Sequence, residues 1–134
     1  MSVDQITGHC LCGGVSYRAS GPIRDVVNCH CGQCRRTHGH FVAYCKVSKD
    51  GFELVEERSL KWYRASDLAR RGFCSECGAS LFWEGDASGQ IGIAAGTLDE
   101  PTGLKTIRHI FCEDKGDYYE ITDGLEQLPR GHDG

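Results

Sequence analysis

The chain has 134 residues, of which 40% are hydrophobic and 25% charged, as expected for one soluble globular domain. Its net charge of −4 provides no positive field for nucleic acid, so nucleic-acid binding is not expected. No apolar run approaches the roughly 20 residues of a membrane helix, and the N-terminal stretch MSVDQITGHC lacks the basic and apolar regions of a signal peptide. We therefore expect a single cytoplasmic domain over residues 1–134, without membrane contact.

The predicted elements are short β-strands that follow one another between glycines. The chain has 18 glycines, and the runs between them are rich in Val, Ile, Phe, Tyr and Trp, the composition of strands. In chain order the candidate strands are GVSYRAS, HFVAYCKVS, LKWYRA, ASLFWEG, GQIGIAAG, TIRHIFC and GDYYEIT. No segment has a sustained helical period, and we expect at most a turn or two of helix after Cys34 and near SDLARR (residues 66–71). The pattern predicts a mostly β fold, a small antiparallel sandwich or open barrel, whose thin core a structural metal would stabilise.

Nine cysteines are far more than a chain of this length normally carries, and most of them lie in three groups. A disulfide framework needs an oxidising compartment, and an odd number would leave one thiol unpaired. Reduced thiolates that bind metal are therefore the better interpretation. The groups are CLC (residues 10–12), CHCGQC (29–34) and CSEC (74–77), and Cys45 and Cys112 stand alone.

The first and third groups together supply four ligands. In an extended strand, residues i and i+2 point to the same face, so Cys10 and Cys12 can bind one ion. Cys74 and Cys77 form a Cys-x-x-Cys turn in which Gly78 can adopt the left-handed conformation. A redox Cys-x-x-Cys motif would instead open a helix in a βαβ unit, which this pattern lacks. We predict a tetrahedral four-cysteine zinc site with a structural role.

The middle group supplies three ligands, Cys29, Cys31 and Cys34. Three protein ligands and an open position are typical of a catalytic zinc, which lowers the pKa of a water or substrate thiol in that position. The alternative is a closed second structural site, with a fourth ligand from Cys45, Cys112, His30, His38 or His40. His30 is expected to point away from the ion because it lies between two ligands on one strand. The lone cysteines are expected to be core residues.

Two arginine pairs lie near the cysteine groups. Arg35-Arg36 directly follows Cys34, and Arg70-Arg71 precedes the CSEC turn. Each pair is most simply a solvated surface pair. The alternative for Arg35 and Arg36 is that they bind the carboxylates of an anionic peptide thiol.

Histidines and aromatic residues near the clusters also have two interpretations. His38 or His40 is a candidate for proton transfer near neutral pH, although each is more simply a surface histidine. Trp62 and Trp83 are predicted to be core or sheet-face aromatics. The segment DKGDYYEITDG (residues 114–124) is expected to close the last strand pair rather than to line a pocket.

These motifs resemble those of the glutathione-dependent formaldehyde-activating enzyme family, which also includes centromere protein V. The stretches that carry the resemblance are GHCLCGGVSYRASG, NCHCGQCRRTHG, FCSECGASLFW, AGTLDEP and RHIFCEDKGDYYEITDGLEQLP. Together they span residues 8–129. The order and spacing of Cys-x-Cys, Cys-x-Cys-x-x-Cys and Cys-x-x-Cys make the resemblance specific.

The resemblance implies the zinc-bearing β-tent fold that is also seen in methionine sulfoxide reductase B. It implies two zinc ions, one structural and one at an active centre, held respectively by Cys10, Cys12, Cys74 and Cys77 and by Cys29, Cys31 and Cys34. The implied activity is that of a carbon–sulfur lyase that joins glutathione and formaldehyde into S-hydroxymethylglutathione.

The leading hypothesis from the residues is therefore a zinc-dependent enzyme that adds a small thiol to an aldehyde. Arg35, Arg36 and His38 are its candidate substrate contacts. Two functions of other classes stay open: a zinc-stabilised binding module without catalysis, and a thiol or redox sensor that uses the three-cysteine zinc.

Overall fold

The computed structural model describes residues 3–131, and within that range the chain is built almost entirely of strands. They are β1 (Gln5–His9), β2 (Ser16–Ser20), β3 (Arg24–Cys29), β4 (Val42–Ser48), β5 (Phe52–Glu56), β6 (Leu60–Arg64), β7 (Ala69–Cys74), β8 (Ser80–Gly85), β9 (Gln90–Ala94), β10 (Thr106–Ile110) and β11 (Glu126–Gln127). The helix α1 (Gly32–His38) connects β3 to β4, and short 3-10 turns lie at Lys49–Gly51, Ala95–Thr97 and Cys112–Asp114. The mostly β prediction is confirmed.

The strands form two sheets. A three-stranded antiparallel sheet has the order β1-β2-β5, and an eight-stranded sheet has the order β11-β10-β3-β4-β9-β8-β7-β6. Within residues 3–131 the end strands β11 and β6 do not pair with each other, so the large sheet is open rather than a closed barrel.

The predicted antiparallel arrangement has an exception at one edge of the large sheet. There, β10 pairs in parallel with both β3 and β11, whereas the neighbours from β3 through to β6 are antiparallel. Parallel pairing requires a crossover connection. Residues 95–105 provide it, because they carry the chain from β9 past β4 and β3 before β10 begins.

The main hydrophobic core lies between the two sheets. On β2, Tyr17 and Ala19 are buried and Arg18 between them is exposed, the period of two expected for a strand with one buried face. The Tyr17 ring packs against Phe82 of β8 and Phe52 of β5, with ring centroids 5.3 and 5.9 Å apart. Buried aromatic rings contribute much of the apolar area of such a small core.

A second, smaller core covers the opposite face of the large sheet. Its buried members are Val27, Cys29, Cys34, Val42 and Ile110. Successive residues of a strand face opposite sides, so β4 contributes Val42 here and the fully buried Cys45 to the main core. This second face carries the candidate functional site.

Helix α1 begins earlier than predicted. Its N-cap is Cys31, and it ends at Gly39, whose backbone N–H donates to the Arg35 carbonyl at 2.8 Å. The predicted helix therefore exists but includes Cys34 instead of following it. Among residues 3–131, no helix has the length and apolarity that a membrane span requires.

Three other local predictions were wrong. The SDLARR stretch is not helical: Ser66 donates its backbone N–H to the Ala69 carbonyl in the turn between β6 and β7, and residues 69–71 belong to β7. The CLC stretch forms a turn after β1, not a strand, and GDYYEIT contains no strand. Strands β1, β3, β5 and β7 were not predicted, because polar residues within them obscure the alternation that identifies a half-buried strand.

Candidate functional site

Four cysteine sulfurs meet where the β1–β2 connection approaches the β7–β8 turn. Cys10 and Cys12 follow β1, Cys74 ends β7, and Cys77 lies in the turn before β8. Their four Sγ atoms all lie within 4.8 Å of one another. The structure thus brings together the four residues that the sequence predicted as one ligand set.

The spacing of these sulfurs suits a tetrahedral zinc ion. The Cys10 and Cys12 sulfurs are 3.8 Å apart, and those of Cys12 and Cys74 are 3.6 Å apart. A tetrahedron with Zn–S bonds of about 2.3 Å has sulfur–sulfur edges of about 3.8 Å. The donor set and its spacing therefore fit zinc.

Backbone amides surround this cluster. The N–H groups of Val15, Gly14 and Cys77 donate to the sulfurs of Cys10, Cys12 and Cys74 at 3.3 to 3.4 Å. Gly78, with a φ of 80°, is left-handed as predicted, and its N–H bonds to the Cys74 carbonyl at 2.8 Å. N–H donors stabilise thiolates, the form of cysteine that binds metal.

The second cluster consists of Cys29, Cys31 and Cys34, whose Sγ atoms also lie within 4.8 Å of one another. Cys29 is the last residue of β3, and the Cys34 sulfur lies 3.3 Å from the Cys29 sulfur. Cys31 accepts a hydrogen bond from the Cys34 N–H at 3.3 Å, as the N-cap of α1. The end of a strand and the first turn of a helix therefore bring the three sulfurs together.

Hydrogen bonding lowers the pKa of one thiol of this cluster and raises the pKa of another. Hydrogen bonds from Cys29 and then Cys34 lower the pKa of the Cys31 thiol, and the buried Arg71 lowers it further. The bond to Cys31 raises the pKa of Cys29. One thiolate is thus favoured in the cluster, and a dication would stabilise the full set of three.

No further ligand completes this set in the part of the chain that the structure describes. The group of mutually close ligand atoms contains the three cysteines and no additional His, Cys, Asp or Glu. Cys45 faces the main core, where burial raises its thiol pKa to about 11. Cys112 lies in the 3-10 turn after β10. Neither lone cysteine belongs to the cluster.

The three-cysteine cluster lies on the wall of a cavity of about 350 Å³. The cavity occupies the face of the large sheet opposite the main core. Besides the cysteines, its polar lining residues are Gln33, His38, Lys46 and Arg71, and the aromatic side chains on this face are Tyr44, Trp83 and Phe111. A cavity of this size that combines apolar walls with a few polar groups is typical of a small-molecule site.

Arg71 is the charged residue most closely associated with the cluster. It lies on β7 with 8% of its surface exposed, and its Nη2 is 3.5 Å from the Cys34 sulfur. Its Nε and Nη2 both donate to Gln33 Oε1, at 3.0 and 2.8 Å. Gln33 therefore orients a guanidinium that stabilises negative charge on the sulfurs.

Comparison with known proteins agrees with this geometry. The family model of the glutathione-dependent formaldehyde-activating enzyme matches residues 5–114, a range that contains both cysteine clusters. This chain belongs to that family. An uncharacterized lyase of Schizosaccharomyces pombe is 30% identical over 77 residues, which are 57% of this chain and 55% of that protein. The chain thus matches about half the length of this curated relative.

A solved structure shows that the fold recurs. The crystal structure of a Rhodobacter sphaeroides protein superposes with a TM-score of 0.62, covering 91% of this chain and 98% of that one. The two sequences are 17% identical. The likeness therefore concerns the fold alone.

In this formaldehyde-activating family member, only some of the other residues predicted for the site line the cavity. His38 lines it, and burial followed by the charge of Arg71 lowers the pKa of the imidazole to about 4. His38 is therefore neutral at pH 7. Arg35 is half-buried, Arg36 is exposed, and neither lines the cavity. His40 instead hydrogen-bonds the Tyr118 hydroxyl at 2.8 Å.

Behind the cluster lies a hydrogen-bonded chain, centred on two buried histidines, that the sequence did not indicate. His30 points away from the three sulfurs, as predicted, and its Nε2 is 2.9 Å from Nδ1 of His109. His109 Nε2 lies 2.8 Å from an Asp123 carboxylate oxygen, and His30 Nδ1 bonds the Tyr119 hydroxyl.

The direction of each bond follows from the carboxylate. A hydrogen bond from the Leu125 N–H, followed by the one from His109, lowers the pKa of Asp123, so this group only accepts. When each imidazole carries one proton, His109 donates from Nε2 to Asp123, His30 donates to His109, and Tyr119 donates to His30. The chain of bonds ties residues 119–123 to the strand that ends in Cys29.

Sequence reasoning missed Arg71 and this hydrogen-bonded chain, and it described Trp83 only as a core or sheet-face aromatic. The Arg70-Arg71 pair was interpreted as surface, but only Arg71 lines the cavity, while Arg70 lies 3.8 Å over the Trp62 ring. The signal that could have separated Arg71 from Arg70 was the alternation of a strand, because neighbouring residues of a strand face opposite sides. The segment 114–124 connects the last strand pair, β10 and β11, and does not line the cavity, as expected. Within it, Tyr119 and Asp123 hydrogen-bond to histidines, which was not expected.

Proposed function

We propose that this protein is a zinc-dependent, lyase-like enzyme that adds a small thiol such as glutathione to an aldehyde, with formaldehyde as the reference substrate. Membership of the formaldehyde-activating family and the lyase name of the yeast relative support the reaction class. The observation that carries the proposal is the position of the Cys29, Cys31 and Cys34 sulfurs. They form an incomplete ligand set on the wall of a cavity large enough for a small molecule.

The reaction joins the two substrates without an oxidant or a reductant. A carbon–sulfur bond forms between the thiol and the carbonyl carbon, and the carbonyl π bond opens to a hydroxyl group. The proton that leaves the thiol ends on the former carbonyl oxygen. The site therefore has to stabilise a thiolate, orient the carbonyl and move one proton.

The three sulfurs would hold the zinc ion, which when bound would supply acidification of the substrate thiol. Arg71, 3.5 Å from the Cys34 sulfur, stabilises the negative charge that collects on this side of the cavity. Gln33 fixes the guanidinium through two hydrogen bonds. These contacts are preorganised, so they need no rearrangement during the reaction.

His38 provides a group for the proton. It lines the same cavity and is neutral at pH 7, because burial and Arg71 lower its pKa to about 4. A ring nitrogen can therefore accept the thiol proton, and the resulting imidazolium is acidic enough to return it to the developing alkoxide. Arg35 and Arg36, which lie outside the cavity lining, are proposed to bind carboxylates of the thiol at the protein surface.

The proposal is tested by following hemithioacetal formation from glutathione and formaldehyde by NMR exchange, using protein purified without chelator. We expect the wild type to exceed the uncatalysed rate and Cys34→Ser to lose at least 100-fold of the catalysed part. Cys112→Ser is the matched control, because Cys112 belongs to neither cluster and does not line the cavity. A wild-type rate equal to background, or an active Cys34→Ser variant, would refute the proposal and favour a binding module.

A further inference from the structure

The cavity beside the three-cysteine cluster is much larger than formaldehyde requires. Its volume is about 350 Å³, whereas an apolar cavity of about 150 Å³ is sufficient to bind benzene. A one-carbon aldehyde would fill only a small part of it. The remaining space needs another occupant.

The floor of the cavity is a row of residues across four neighbouring strands. Arg71 of β7 pairs with Trp83 of β8, Trp83 with Gly92 of β9, and Gly92 with Lys46 of β4. Residues paired in this way project from the same face of the sheet. Gly92 lacks a side chain, and the ring of Tyr44, a residue of β4, lies against it in the middle of the row.

The close packing around Gly92 shows that an aromatic ring covers this glycine. A Cβ atom at Gly92 would lie 3.1 Å from Tyr44 Cδ2 and 3.5 Å from the Trp83 carbonyl oxygen. The backbone of Gly92 does not have a positive φ, so its conformation does not require glycine. The absence of a side chain here makes room for the Tyr44 ring, which lines the cavity.

Apolar side chains form the remaining walls near the sulfurs. Val42 of β4 and Ile110 of β10 pair with Cys29 of β3 and line the cavity with it. Phe111 also lines it, and with a φ of 54° it is the one non-glycine residue of positive φ among residues 3–131. A left-handed phenylalanine costs about 1 kcal/mol, which the packing around it has to offset.

The charges of the cavity do not suit the whole of a glutathione molecule. Glutathione carries an ammonium group and two carboxylates, and the described lining residues include neither Asp nor Glu. A buried ammonium group without a partner is strongly unfavourable. The peptide body of the thiol therefore belongs outside the cavity, with only its sulfur reaching the cluster, and the apolar space is left for the second substrate.

We propose that the aldehyde used by this protein carries an apolar, ring-sized substituent, aryl or branched alkyl, which occupies the part of the cavity lined by Tyr44 and Trp83. This inference rests on the proposed thiol–aldehyde addition and specifies its second substrate. The balance of the step is unchanged: the thiol sulfur bonds to the aldehyde carbon, and the thiol proton moves to the aldehyde oxygen. The substituent remains intact.

The test compares phenylacetaldehyde with acetaldehyde, two alkyl aldehydes that differ by the ring, with glutathione as thiol and formaldehyde as the reference. For each aldehyde, the catalysed kcat/KM is divided by the uncatalysed second-order rate constant, which removes differences in intrinsic reactivity. We expect this enhancement to be at least tenfold larger for phenylacetaldehyde than for acetaldehyde. Equal enhancements, or a larger one for acetaldehyde or formaldehyde, would overturn the inference.

Gly92→Val should reduce the phenylacetaldehyde-to-acetaldehyde ratio of enhancements at least fivefold, because its Cβ would lie 3.1 Å from Tyr44 Cδ2 and would displace the ring that bounds the proposed site. Gly96→Val is the matched control: Gly96 has no atom within 4 Å of an added Cβ, has no positive φ and does not line the cavity. The control should keep the wild-type ratio. A ratio that Gly92→Val leaves unchanged would overturn the inference.

A binding measurement separates this inference from the proposed function and does not depend on the folding of any variant. Benzyl alcohol, which cannot react, should shift the Trp83 indole resonance of the wild type at concentrations at which ethanol does not. If benzyl alcohol binds but no aldehyde reacts, the proposed function fails, but the preference of the cavity for an apolar ring stands. If formaldehyde reacts but benzyl alcohol does not bind, the proposed function stands and the inference is overturned.

Discussion

The two cysteine clusters differ in how much of the chain each one closes. In the four-cysteine cluster, Cys12 and Cys74 are 62 residues apart in sequence, so an ion there would join the first hairpin to the middle of the chain. The three-cysteine cluster lies within six residues, 29–34. Closing a long loop removes much more entropy from the unfolded chain than closing a short one. Metal bound at the first cluster would therefore stabilise the fold, whereas metal bound at the second would constrain only one strand end and one helical turn.

The surroundings of the two cysteine clusters also differ. Backbone N–H groups of Gly14, Val15 and Cys77 donate to sulfurs of the four-cysteine cluster, and four ligands fill a tetrahedron. The three-cysteine cluster instead borders a cavity and has a guanidinium beside it. The two clusters thus differ in the sequence separation of their ligands and in their access to a cavity. The predictions below test whether this difference gives them different roles.

The largest effect is expected from Cys74→Ser. Zinc binding to structural sites contributes about 10–16 kcal/mol, which is comparable to the entire stability of a small domain, about 5–15 kcal/mol. We expect Cys74→Ser to be insoluble or unfolded by circular dichroism. Its counterpart Cys31→Ser should keep the β spectrum and lose activity. Metal analysis should find about two zinc ions in the wild type and about one in Cys31→Ser; an unfolded Cys31→Ser variant would contradict the proposed division of roles.

A smaller effect, on activity alone, is expected from Arg71→Gln. Removing the guanidinium next to the Cys34 sulfur removes charge stabilisation of about 1.5–3 kcal/mol for a hydrogen bond to a charged group. We expect kcat/KM to fall by about 10- to 100-fold with little change in unfolding midpoint. Arg70→Gln is the control, because Arg70 stacks on Trp62 and pairs with Glu84 outside the cavity. Equal losses of activity in both variants would contradict the role of Arg71.

The sequence predicted both ligand sets. Within each cysteine group, neighbouring ligands are two or three residues apart, so local geometry brings them together. Arg71 could not be assigned in the same way, since its role depends on the strand order that places β7 two strands from β9. The hydrogen-bond partners of His30 could not be predicted from the sequence either. His109 meets His30 only because β10 pairs in parallel with β3, and parallel pairing across a crossover leaves no signature in a single sequence.

The hydrogen-bonded chain behind the three-cysteine cluster should contribute moderately to stability. Tyr119→Phe removes the hydroxyl that donates to His30 and leaves a buried nitrogen without its donor, at a cost of about 1–3 kcal/mol. We expect the free energy of unfolding in urea to fall by about that amount. Tyr118→Phe is the control: Tyr118 is 59% exposed and bonds His40 in an exposed contact, so its loss should cost less than about 0.5 kcal/mol. If both variants lose the same stability, the hydrogen-bonded chain has no special role.

The smallest effect is a dependence of stability on pH that comes from His38. Its pKa in the folded protein is about 4 instead of 6.5, mainly because of burial. Between these values the unfolded chain binds a proton that the folded protein does not, so stability falls as pH decreases from 6.5 towards 4 and is level above 6.5.

His38→Gln removes this contribution. The slope of one titrating group cannot exceed about 1.4 kcal/mol per pH unit, and partial exposure reduces it to a few tenths. The wild type should therefore lose more stability than His38→Gln between pH 7 and pH 5, measured by urea denaturation. Losses common to both proteins, such as those from protonation of zinc ligands, cancel in the comparison. Parallel curves would show that the imidazole is protonated as readily in the folded protein as in the unfolded chain, and His38 would then no longer qualify as the neutral proton acceptor beside the three-cysteine cluster.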